Sequence, residues 1–194
     1  MALSHKPARD ADADKPETIE WQGKFITAKT RGRWEYAGRA RGIRAAAIIA
    51  IDDAADGAPN GKYVLLVEQY RVPLGRFCLE IPAGLIGDED GGEGEAPEAA
   101  AARELEEETG YRAGHMESLG EYYSSPGMVS ESFSLMRATQ LTKVSEGGGI
   151  AGEDIAVHRV KLAELNKFVA AKRAENVAID VRIAMLLATE NPIA

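Results

Sequence analysis

The chain has 194 residues, 45% of them hydrophobic and 28% charged, with a formal net charge of −8. That length suits one domain with a real core and a small appendage, and the acidic balance argues against nucleic-acid or anionic-membrane partners. No apolar run approaches the ~20 residues of a membrane span, and the single Cys78 excludes an internal disulfide and fits a reducing, cytoplasmic setting.

Residues 1–16 are charged and alanine-rich without an apolar centre, so they read as a disordered leader and not as a signal peptide. Residues 17–42 read as a small β unit: two or three short strands over 20–30 and 32–39, with a turn near Arg31-Gly32. Both tryptophans, Phe25 and Tyr36 fall in this unit. It is too short to bury them alone, so they are expected to pack on the rest of the chain or on a second subunit. Trp21 reads as a packing residue. Trp34 is followed by Arg39 and by a basic cluster that runs from Arg41 to Arg44, and an aromatic plate beside arginines suits a nucleotide base and its phosphates.

The remainder, 43–194, reads as the main domain. Residues 45–51 and 63–70 are near-continuous apolar runs, as buried central strands should be. The Asp/Gly/Pro/Asn-rich stretch between them is a hairpin loop. Residues 71–75 turn the chain into a third strand over 77–82, where Cys78 sits in an apolar run as a buried structural thiol. A helix follows over 97–109, then strands near 115–123 and 131–140, a flexible glycine-rich segment over 147–152, and a strand over 153–160. Helices over 162–173 and about 180–188 close the chain, the second with an apolar face of Val181, Ala184, Met185, Leu187 and Ala188. Strands with interspersed helices predict an α/β class with a mixed sheet between helices.

The stretch from Glu95 to Tyr111 organises the rest. Pro97 suits a first helical turn and Gly110 the left-handed residue just past the end. At about 100° per residue Glu104, Glu107 and Glu108 share one arc, Glu106 points away, and Ala101, Ala102 and Leu105 form a small apolar side. Like charges at these spacings cost about 0.2–0.5 kcal/mol per pair. Such a face is either plainly solvated or a site for Mg²⁺ or Mn²⁺, hard cations that take oxygen ligands. Spacing alone leaves both open.

The order of residue types goes further. Arg103-Glu104-Leu105-Glu106-Glu107-Glu108-Thr109-Gly110-Tyr111, with Glu95 eight positions before Arg103, resembles the signature of the Nudix hydrolases. The second half agrees at every specified position. The first half departs: ten residues, where the family has five, separate Gly84 from Glu95, and the extra ones fall in the Gly/acidic run at 87–92. Glu68-Gln69-Tyr70-Arg71-Val72-Pro73, Glu80-Ile81-Pro82-Ala83-Gly84, the N-terminal aromatic strands, and Pro126 placed 16 residues after Gly110 resemble the ADP-ribose (ADP-sugar) pyrophosphatase branch.

The resemblance implies the Nudix α/β/α sandwich, with the N-terminal strands exchanged across a homodimer. It implies metal ligation by Glu104 and Glu108, supported by Glu107, Glu95 and the Ala83 carbonyl, with Arg103 holding a glutamate one turn on. Glu153, in Gly152-Glu153-Asp154-Ile155, is a further catalytic glutamate, either base or ligand. Arg39 and Arg71 are implied for the diphosphate, Phe25 and Trp34 for the adenine, and Glu80, Leu85 and Pro126 for further substrate contacts. The implied reaction is Mg²⁺-dependent (or Mn²⁺-dependent) hydrolysis of ADP-ribose to AMP and ribose 5-phosphate. The alternatives are the same chemistry on an ADP-hexose, a dinucleotide or a flavin nucleotide, or a non-catalytic ADP-ribose-binding domain.

Overall fold

The computed structural model describes residues 7–53, 61–87, 94–150 and 152–187, except the side chains of Arg41 and Asp53. The hairpin loop over 54–60, most of the Gly/acidic run, residues 1–6 and Ala188 lie outside the described residues. The chain forms two compact units: residues 1–43 with 123–132, and residues 44–122 with 133–194.

The smaller unit is an antiparallel sheet of β1 (Glu17–Gln22), β2 (Ile26–Arg31) and β3 (Trp34–Arg39). The expected turn is there, with Gly32 at φ 59°. A side chain at Gly32 would also strike Asp12, whose Cγ lies 2.4 Å from the Cβ position. Asp12 is buried; it accepts from the Arg33 backbone N–H at 3.1 Å and pairs with Lys15 at 2.7 Å. The described part of the expected leader, residues 7–16, is therefore folded onto this turn through a buried carboxylate. Residues 123–132 join the same unit, with Ala37 and Val129 bridged and Arg39 Nε 2.5 Å from Glu131 Oε1. Three strands have only side chains to cover one another. Accordingly Ile19, Trp21, Phe25, Ile26 and Trp34 are all exposed.

The larger unit contains β4 (Arg44–Asp53), β5 (Lys62–Arg71), β6 (Arg76–Glu80), β7 (Ala83–Ile86), α1 (Pro97–Thr109), β8 (Tyr111–Tyr123), β9 (Ser132–Lys143), β10 (Ala156–Lys161), α2 (Leu165–Ala174), β11 (Ala178–Ile179) and α3 (Ile183–Leu187). Its sheet is mixed. β4 runs parallel to β9 and β11 to β6, while β5 is antiparallel to β4, β6 and β10 and β7 is antiparallel to β4.

Alternation along β4 builds two cores. Ala46, Ile48 and Ala50, with Leu65, face Ala100, Ala101 and Leu105 of α1. Ala47, Ile49 and Ile51 face the other way, toward Leu165 and Val169 of α2 and Ile183 and Leu186 of α3. The result is the expected α/β/α layering. Alanine opposes alanine across the first core, which brings α1 close to the sheet.

Four local expectations change. On α1, Ala100 takes the buried place assigned to Ala102, which is exposed, because the face toward β4 is centred nearer the N-terminus. Residues 83–86, read as motif loop, form β7 because β4 offers them a ladder. The strand expected from 153 begins at Ala156, since the preceding residues are held in a loop by Glu153 N–H to Ile150 O and Ile155 N–H to Gly148 O. The last helix starts at Ile183, not 180. Its phase accordingly buries Ile183 and Leu186 and leaves Val181 and Ala184 exposed.

Candidate active site

The site is built where β6, β7 and α1 converge. Small residues on α1 and β4 let the helix approach β7 so closely that a Cβ on Gly84 would lie 1.8 Å from Glu104 Cδ. Glycine is required there for space: the Glu104 carboxyl occupies that volume. One turn on, Glu108 is buried and its Oε2 accepts the Ala83 backbone N–H at 3.0 Å. Burial pushes the Glu108 carboxyl up to about 8, against the Ala83 hydrogen bond; the charges of Glu104, Glu153 and Glu80 push the same way.

Arg103 ties the rest together. Its Nη1 donates to Glu104 Oε1 at 3.0 Å and to Glu107 Oε2 at 3.3 Å, its Nη2 to the Leu85 carbonyl at 3.2 Å, and its Nε lies 3.5 Å from Glu95 Oε1. Burial works against its charge, but the surrounding carboxylates outweigh it and raise its proton affinity. Glu95 also accepts the Gly87 N–H at 3.0 Å, so the lengthened loop is clamped at its described start. Glu106 points outward and pairs with Arg112. Glu104, Glu107, Glu108, Glu95, Arg103, Ala83 and Leu85 are thus neighbours in the fold.

The glycine-rich segment departs from its reading as merely flexible. Gly148 and Gly149 donate to the carbonyls of Glu108 and Glu107, capping the end of α1. A Cβ on Gly147 would sit 2.4 Å from the Thr109 backbone carbon, and one on Gly110 2.2 Å from the Ser145 oxygen. These glycines serve close backbone approach. The loop they start carries Glu153, whose Oε2 accepts the Ile150 N–H at 3.0 Å.

A second cluster lies along β5 and β6. Arg71 binds both oxygens of buried Glu80, at 2.6 and 2.8 Å. Arg182, which sequence reasoning missed, reaches the same carboxylate at 3.2 Å across a separation of 102 residues. Asp180-x-Arg182 carried no signal, because its partner is visible only once β11 is paired with β6. Cys78 is buried, and burial pushes its thiol up to about 12, so it is an inert packing residue. Phe25, Trp34, Arg39 and Pro126 lie in the smaller unit, where Arg39 is held by Glu131 and Trp34 lies beside the Arg33 guanidinium at 5.9 Å.

The donor set at α1 is all oxygen, carries excess negative potential at Glu108, and suits a hard divalent cation. Among the described residues no three ligating side chains already stand gathered as a cation cage; Glu104 and Glu107 are engaged by Arg103 instead. No helix among the described residues is long and apolar enough to cross a membrane.

Comparison with known proteins identifies the family. Residues 42–180 match the NUDIX domain model. The chain is 33% identical over 193 residues to an uncharacterized Nudix hydrolase of Schizosaccharomyces pombe, covering 95% of this chain and 88% of that protein. It is 39% identical over 102 residues to the ADP-ribose pyrophosphatase of Bacillus subtilis, covering 53% of this chain and 49% of that enzyme, so it aligns with about half the length of the latter. A crystal structure of an ADP compounds hydrolase superposes with a TM-score of 0.60 at 21% identity, over 80% of each chain, a likeness of fold.

Proposed function

This chain belongs to the Nudix hydrolase family, and on that premise we propose that it splits the diphosphate of ADP-ribose into AMP and ribose 5-phosphate with Mg²⁺ or Mn²⁺ as cofactor. The observation that carries the proposal is the buried Glu108 carboxyl, seated on the Ala83 backbone among Glu104, Glu153 and Glu80, whose charges and whose burial resist its ionisation until a cation is bound. Glu104 and Glu108 would hold the cation, with Glu107, Glu95 and the Ala83 carbonyl in support. When bound, a divalent ion offsets the diphosphate charge and makes a nearby water more acidic.

The chain's own groups do the rest. Arg103 keeps Glu104, Glu107 and Glu95 in register through one guanidinium. Glu153, carried on a loop and not on a helix or strand, accepts the proton of the attacking water. Arg71 presents its outward N–H groups to the diphosphate. The exposed aromatics of the smaller unit, Phe25 and Trp34, supply the adenine site, and that unit is exchanged in a homodimer that also covers its apolar face. Leu85, Arg39 and Pro126 complete the substrate contacts, and Glu80, buried with both oxygens bound by arginines, serves the substrate through Arg71.

The test is a panel of ADP-ribose, ADP-hexoses, dinucleotides and flavin nucleotide with Mg²⁺, with products identified by chromatography. AMP and ribose 5-phosphate from ADP-ribose at the highest kcat/KM is the expected result. A higher kcat/KM on another member reassigns the substrate. Tight ADP-ribose binding with no turnover of any member overturns the enzymatic reading.

A further inference from the structure

We propose that Arg182 is a positioning residue that orients Arg71 toward the substrate by pinning Glu80; the proposal rests on the reading of Arg71 as a diphosphate ligand. Glu80 is 3% exposed, so its oxygens find their hydrogen-bond donors in the protein and not in bulk water. Arg71 takes both oxygens, through Nε at 2.6 Å and Nη2 at 2.8 Å. Such a fork fixes the two planes relative to each other but leaves the pair free to rock together. Arg182 stops that motion by donating to Oε2 from a different element, at 3.2 Å.

Arg182 is able to act as the fixed point because it is itself locked. Its Nε donates to Asp180 Oδ1 at 2.7 Å, its backbone N–H donates to the same oxygen at 2.8 Å, and its guanidinium lies 5.7 Å from the Phe133 ring centroid. Asp180 is anchored in turn by its N–H to the Leu79 carbonyl at 3.0 Å, next to Glu80 in the chain. The side chains of Arg182 and Arg71 are 16% and 41% exposed. Arg182 is thus the less exposed support and Arg71 the presented group. Of the five N–H donors of an arginine, Arg71 spends two on Glu80 and keeps three on its open side. The two guanidinium groups formally match the two carboxylates of Glu80 and Asp180 that they bind. Orientation of a bidentate donor is worth rate and affinity only while its mount is rigid.

The experiment compares KM and kcat for ADP-ribose, with thermal melting, in Arg71→Met, Arg182→Met, Arg182→Lys, Glu80→Gln and the Glu80→Gln/Arg182→Met double variant. Arg182→Met is expected to raise KM by about fivefold with kcat within about twofold, and Arg182→Lys to recover part of the loss. In the Glu80→Gln background Arg182→Met should add nothing, because the pinned group is gone. An unchanged KM in Arg182→Met, the same KM penalty in both backgrounds, or a fall in kcat alone overturns the proposal. If Arg182→Met melts below the assay temperature, Asp180→Asn loosens the same guanidinium while keeping its charge; an unchanged KM there also overturns it. An unchanged KM in Arg71→Met defeats instead the reading of Arg71 as a ligand, so the two failures are distinct.

Discussion

Gly84→Ala isolates the closeness of α1 and β7. The added Cβ would lie 1.8 Å from Glu104 Cδ and 2.2 Å from its Oε1. Carbon atoms in contact stand about 3.5 Å apart, so the carboxyl must withdraw by about 1.7 Å. Gly84 is absent from the positive-φ glycines, so alanine adds no backbone strain. Glu104 is the mobile end of a long side chain, 13% exposed, and can give way. The stability loss should therefore fall at the low end for overpacking, about 1 kcal/mol, or roughly 2–4 °C in Tm for a domain of this size. Activity should respond very differently, because displacing a positioned group by 1 Å costs on the order of 100-fold. The assay is AMP release from ADP-ribose at saturating Mg²⁺, beside thermal melting of the same preparation. A Gly84→Ala variant with kcat within about threefold of the parent would refute the placement of Glu104 in the reacting centre.

Three further outcomes follow from the same geometry. Glu108 has its folded pKa raised to about 8 from 4.5, so the metal-free fold holds a proton there that the unfolded chain has lost above pH 4.5. Stability from this group is full below about pH 4.5 and falls as pH rises to about 8, by an amount on the order of 5 kcal/mol; Glu108→Gln should flatten the slope, saturating Mg²⁺ should reverse part of it, and melting curves across that range with no difference between the two proteins would refute it. Glu153→Gln should lower kcat by about 100-fold with KM little changed, whereas a loss confined to KM would make Glu153 a substrate contact. Trp34→Ala should raise KM for ADP-ribose by about tenfold, the value of one base–aromatic stack, and an unchanged KM would remove Trp34 from the adenine site.

What the sequence determined by itself is local. Pro97, the run of strong helix formers and Gly110 specify α1 almost to the residue, because helix start, propagation and left-handed stop are all short-range properties. The arc of Glu104, Glu107 and Glu108 follows from the same 3.6-residue period. The near-continuous apolar runs of β4 and β5 likewise announce strands buried on both faces, and the order of residue types around Arg103 was enough to identify the family. Tertiary structure decided everything that depends on partners distant in the chain. Residues 83–86 become a strand only because β4 lies beside them, and Gly84 is indispensable only because Glu104 descends onto it. The glycines at 147–149 look like flexibility in the sequence and are close-packed against the end of α1 in the fold. Ala102 lost its expected burial because the phase of a helix face is set by what it packs on, and Val181 lost its own because it precedes the helix that was expected to carry it. Arg182 was invisible for the plainest reason: a charge pair spanning 102 residues has no sequence period, and only the pairing of β11 with β6 brings the two groups within reach.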